Sequence, residues 1–92
     1  MGSYTVKYTE TVLRQLKKMD RHDAIYITSW ISKNLIDCMD PRSKGKALSH
    51  DFSGACRYRI GNYRLIADIQ DTELVILLLS VGHRKDIYKL VV

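Results

Sequence analysis

The run CRYRIGNYRL, residues 56–65, carries three arginines in a spacing that gathers them on one surface. Side chains alternate along a strand, so Cys56, Tyr58 and Ile60 take one face and Arg57 and Arg59 the other. Gly61-Asn62 reads as a two-residue type II′ turn with glycine at its first central position. Such a loop pairs Ile60 with Tyr63, sets Arg59 opposite Arg64, and sets Arg57 opposite Ile66. Like charges facing each other across two strands destabilise a sheet by about a few tenths of a kcal/mol. The fold gains nothing from that pairing. An anion reverses the sign, and phosphate suits guanidinium groups because they bind its oxygens in a bidentate way.

The elements that must hold these arginines follow from the rest of the pattern. Residues 4–8 alternate aromatic, polar and β-branched side chains and predict a strand. Thr9 or Glu10 opens a helix to about Met19, with Val12, Leu13 and Leu16 inward and Arg14, Lys17, Lys18 and Arg21 on its basic side. Asp20 is an N-cap for a second helix, with acidic Asp23 in its first turn. There Ala24, Ile27, Ile31, Leu35 and Cys38 form an apolar stripe that Asp40-Pro41 ends. A polar, basic connection spans residues 42–54, followed by strands at about 55–60, 63–69 and 73–81. The last is apolar on both faces, which predicts an interior strand. Residues 82–86 read as a loop and 87–92 as a short tail. The expected fold is α+β: one domain over residues 1–92, ordered β-α-α-β-β-β, with a helical hairpin packed on a small, mainly antiparallel four-stranded sheet. Strand 73–81 then brings His83 and Arg84 to the same end of the sheet as Arg59 and Arg64, with Tyr88 four residues further on.

Ninety-two residues, 46% of them apolar, suffice for one modest core. The formal net charge is +5, and it is uneven: +1 over residues 1–41 and +4 over residues 42–92. That surplus favours an acidic partner such as nucleic acid or an acidic protein segment. Cys38 and Cys56 have neither a CxxC partner nor a histidine at ligand spacing, so they read as reduced cytoplasmic thiols rather than a metal site. The longest apolar run, LVILLL at 74–79, is far too short to span a bilayer. Met1-Gly2-Ser3 has the look of a cloning remnant.

The segments CRYRIGNYRLIADI and LLLSVGHRKDIYK, taken with the element order, resemble the RelE branch of the RelE/ParE toxin superfamily. The resemblance covers nearly the whole chain, and it rests on the paired motif of two basic strand residues and YRL followed by SVGxR and a late tyrosine. It implies a bacterial toxin of a type II toxin–antitoxin system that enters the ribosomal A site and cuts mRNA without metal or cofactor. It also implies a cognate antitoxin with an acidic or amphipathic segment that wraps the toxin. By position, Arg57 and Arg59 fall on the family's two strand cations, often lysines; Arg64 falls on the arginine of YRL, Arg84 on that after SVG, and Tyr88 on the C-terminal tyrosine. Arginine at both strand positions and a short Arg84–Tyr88 interval depart from some relatives.

RNA is cut without metal when its 2′-OH attacks the adjacent phosphate. Cations must stabilise charge on the phosphate oxygens, a base must take the 2′ proton, and an acid must protonate the 5′-oxygen. Arg57, Arg59, Arg64 and Arg84 suit the first task. An arginine, with a pKa above about 12, cannot serve as base. Tyr88, His83 and Lys46 are the candidates for proton transfer, with Tyr88 or His83 expected to move the protons, and Lys44 and Lys46 are candidates for contact with the RNA backbone. Trp30 reads as core or antitoxin interface. Two competing functions share the fold: ParE-like inhibition of DNA gyrase without cleavage, and an inactive toxin acting as co-repressor with its antitoxin.

Overall fold

Thr9 both ends the first strand and starts the first helix. Its hydroxyl donates to the Leu78 carbonyl at 2.6 Å and accepts from the Val12 N–H at 3.3 Å. β1 (Thr5–Tyr8) therefore stops where α1 (Glu10–Lys18) begins, and α2 (Arg21–Asn34) follows with Asp20 capping it through the His22 N–H. β2 (Lys46–Ala47), β3 (Ala55–Ile60), β4 (Tyr63–Gln70) and β5 (Val75–His83) complete the order. This computed structural model describes residues 2–47 and 55–83. Arg84 and Tyr88 lie outside the described residues.

The strands form one sheet in the order β1-β5-β4-β3-β2. β1 runs parallel to β5, and the other neighbours are antiparallel. The expected β-α-α-β-β-β order holds, with β5 interior as its two apolar faces require. The two-residue β2 is an addition from the connection, which reads as a loop in the sequence. Both helices cover one face. Val12 and Leu16 of α1, and Ile27 and Ile31 of α2 with Leu35 beyond it, pack on Tyr58, Ile60, Leu65, Ala67, Ile76, Leu78 and Val81. Leu13, expected inward, is 46% exposed, since buried Val12 and Leu16 set the inward face of α1.

α2 ends at Asn34 rather than running on to Cys38. The N–H groups of Leu35 and Ile36 both bond the Ile31 carbonyl, and Asp37 adopts a left-handed φ of 61°. Asp37 and Cys38 then pair with the main chain of Tyr4, at 3.1 and 2.9 Å, and so leave the helix. The apolar stripe continues only because the turn keeps Leu35 and Cys38 against the core.

β5 starts and ends two residues later than expected, at Val75 and His83. A bulge lies within it: Ile66 pairs with Ser80 but Ala67 with Leu78, so Leu79 is the extra residue. The bulge puts Val81 on the same core face as Leu78 and Ile76, which strict alternation forbids.

The segment from Pro41 to Gly45 straps the edge of β3. Tyr58 donates its hydroxyl to the Pro41 carbonyl. Gly45 lies so close to β3 that an added Cβ would sit 2.7 Å from the Arg57 carbonyl oxygen, 2.7 Å from Cys56 Sγ and 2.8 Å from Tyr58 Cδ1. Gly45→Ala is therefore expected to lower stability by about 1–3 kcal/mol, as overpacking does. Thermal unfolding should show a melting temperature lower by roughly 4–8 °C for each kcal/mol. An unchanged melting temperature would mean that the strap yields freely.

Candidate phosphate-binding site

The β3–β4 hairpin has the register that the sequence predicts. Ile60 pairs with Tyr63, Arg59 with Arg64, and Arg57 with Ile66. Gly61 has φ 60° while Asn62 is not in the positive-φ region, which is the type II′ signature. β2 extends the rows outward: Lys46 pairs with Arg57. Cross-strand partners share a face, so Lys46, Arg57, Arg59 and Arg64 all belong to the side of the sheet away from the helices.

These residues line a cavity of about 370 Å³ with Ser43, Lys44 and Gly45. Arg59 is exposed, Arg57 half-buried, and Arg64 only 9% exposed. Its Nε and Nη1 are buried and have no hydrogen-bond partner among the described residues. Buried donors are nearly always paired, and a charged one left unpaired costs at least about 1–3 kcal/mol. The cavity therefore holds a guanidinium with two buried nitrogens that have no partner among the described residues, beside an exposed arginine and two lysines. Phosphate or carboxylate oxygens would satisfy it.

His83 lies at the expected end of the sheet but on the wrong face. It pairs with Tyr63, while Arg64 pairs with Gly82, so His83 and Arg64 project to opposite sides. The His83 ring meets Tyr63 edge-on at 5.8 Å and 74°. Tyr63 in turn donates its hydroxyl to Asp23 Oδ2 at 2.7 Å, and that hydrogen bond holds its pKa above the usual tyrosine value. The expectation that His83 joins the arginines is thereby corrected, because the Leu79 bulge fixes the parity of the strand end. Lys44 and Lys46 do join them. A larger groove of about 530 Å³, between α1 and the end of β5, includes His83, Arg14 and Lys18. It lies away from the arginine cavity, and no buried unpaired cation lines it among the described residues.

Three features escaped the sequence reading: the burial of Arg64, the close approach of Gly45, and an ion pair between Arg42 and Asp71. RSKGK at 42–46 gave the only hint, as a basic run with a glycine inside it. Cys38 and Cys56 are free, and burial pushes both thiols up. Trp30 packs on the core with its ring 5.6 Å from that of Tyr58.

A family model described as the ParE toxin of the type II toxin–antitoxin system parDE matches residues 6–88. Toxin RelG of Mycobacterium tuberculosis is 33% identical over 86 residues, covering 94% of this chain and 97% of that toxin. The chain belongs to the RelE/ParE toxin superfamily and is RelE-like. Its fold matches a chain of the RelBE2 toxin–antitoxin complex of M. tuberculosis with a TM-score of 0.80 and 31% identity, over 94% of this chain and 97% of that one. The RelBE complex of E. coli gives 0.72 at 19% identity, over 88% and 96%, a likeness of fold alone. This RelE-like toxin presents its basic cavity on the β3–β4 hairpin and the β2 edge beside it. No helix among the described residues is long and apolar enough to cross a membrane.

Proposed function

We propose that this toxin is a ribosome-dependent endoribonuclease that cuts mRNA in the A site. The observation that carries this reading is Arg64, whose buried Nε and Nη1 have no partner among the described residues, in a cavity lined by cations. In the reaction the 2′-oxygen attacks the adjacent phosphorus and the bond to the 5′-oxygen breaks. A 2′,3′-cyclic phosphate and a 5′-hydroxyl result. Arg59 and Arg64 hold the phosphate oxygens and stabilise the charge that develops on them. Arg57 and Lys44 contact the neighbouring backbone. Arg84 and Tyr88 have the roles that the family resemblance implies. Lys46, in the row beside Arg57, takes the 2′ proton on its free amine, a form that an arginine does not reach, and the departing 5′-oxygen takes a proton from water.

The cavity is too small and too uniformly charged to orient a flexible RNA, so the ribosome supplies the in-line geometry. The toxin works in the cytoplasm, where translation takes place. Its partner is a cognate antitoxin, as in the RelBE complexes it resembles, whose acidic or amphipathic segment neutralises the cavity.

Primer extension on mRNA in a translating extract tests this reading. Wild-type protein should give cuts within A-site codons that require ribosomes, and His83→Ala should give the same cuts at nearly the same rate. Intact mRNA would transfer the case to a gyrase inhibitor, which the ParE description of the family model favours. A supercoiling assay then decides between that function and an inactive partner of the antitoxin.

A further inference from the structure

Lys44 and Lys46 reach the arginine cavity on a strap whose near end is anchored far from it. Arg42 binds Asp71 through two parallel bonds, Nη1 to Oδ1 and Nη2 to Oδ2, each 2.9 Å long. Tyr4 donates its hydroxyl to the same Oδ1 at 2.7 Å. The Asp40 side chain accepts from the Arg42 N–H, and the Asp40 carbonyl from the Ser43 hydroxyl, which folds the strap into consecutive turns. Two residues on, Gly45 seats against β3, and Lys46 pairs with Arg57. Asp71 lies in the β4–β5 turn and does not line the cavity. Its ion pair with Arg42 is about half exposed, at 48% and 58% for the two side chains. Exposed pairs contribute little to stability. A three-bond, bidentate clamp on one carboxylate therefore acts through geometry more than through energy.

We infer that Asp71, with Arg42 and Tyr4, is a positioning clamp that sets Lys44 and Lys46 against the RNA backbone at the Arg59–Arg64 cavity. The inference rests on the proposed RNA site and assigns it a remote determinant. The sign of its main consequence opposes simple electrostatics. Asp71→Asn removes a negative charge, and a more basic protein should bind RNA more tightly. A released strap withdraws two lysines and weakens binding instead.

The test is a salt titration of binding, read by fluorescence anisotropy, with the full chain and a labelled 2′-O-methyl RNA that 2′-OH attack cannot cut. The logarithm of affinity falls with the logarithm of salt by about 0.7 for each phosphate contact to a single strand. Asp71→Asn should therefore flatten the slope by up to about 1.4, as two lost lysine contacts would. Lys44→Ala/Lys46→Ala should flatten it equally, and adding Asp71→Asn to that pair should change nothing further. Tyr4→Phe, which leaves the net charge alone, should shift the slope in the same direction by less. A wild-type slope and equal or tighter binding in Asp71→Asn would overturn the clamp. Arg64→Met separates the two ideas. If Arg64→Met also leaves binding unchanged, the RNA site itself is wrong; if it weakens binding while Asp71→Asn does not, only the clamp is.

Discussion

Arg64→Met is expected to abolish mRNA cleavage and, in the same protein, to raise the melting temperature. Methionine keeps an unbranched apolar stem where the arginine stem is buried, and it removes the two donors that have no partner among the described residues. It also ends the like-charge pairing with Arg59. Relieving a buried, unsatisfied donor is worth about 1–3 kcal/mol. A domain of this size gains roughly 4–8 °C in melting temperature for each kcal/mol. Cleavage should fall about 100- to 1000-fold, as when one preorganised donor to a developing oxyanion is deleted. Calorimetry and primer extension read the two halves. A lower melting temperature with cleavage intact would make Arg64 a structural cation, and the cavity would lose its functional meaning.

That expected trade of stability for activity separates an anion site from a solvated basic face. A solvated arginine loses only about a few tenths of a kcal/mol by facing another across two strands. Arg59 alone fits that description. Arg64 does not, because burial removes the water that would otherwise satisfy it. Strain of this kind is expected at a binding site and is offset by the rest of the core.

The hairpin was legible because turn length and alternation together determine register. With two loop residues, Arg59 can only face Arg64, and a slip by one would turn Tyr58 and Leu65 out of the core. The same logic failed for His83. One extra residue at Leu79 inverts the parity of everything after it, and nothing in LLLSVG marks which residue bulges. The end of α2 was hidden for a related reason. Leu35 and Cys38 keep the helical period although they lie beyond the helix, since the turn presents them to the same core. The strap was illegible because its bonds are tertiary: Pro41, Arg42 and Gly45 find partners at Tyr58, Asp71 and Arg57, which a local pattern cannot name. Without the strap, Lys46 reads as one more charge in a polar connection, and its row beside Arg57 is invisible.

Lys46 is the residue on which charge and proton transfer can be separated. Lys46→Ala removes both, and Lys46→Arg supplies a permanent charge on a group that does not release its proton. If Lys46 takes the 2′ proton, both variants should cut mRNA about 100- to 10,000-fold more slowly, the range of a lost general base. If it only attracts the backbone, Lys46→Arg should restore cleavage while Lys46→Ala remains impaired. Affinity for uncleavable RNA supplies the control: Lys46→Arg should bind at least as tightly as wild type under either reading, because its position beside Arg57 in the β2–β3 pair keeps a cation in the cavity. Retained binding with lost cleavage would assign the proton to Lys46. Retained binding with retained cleavage would move it to Tyr88, and Tyr88→Phe should then show the loss that Lys46→Arg did not.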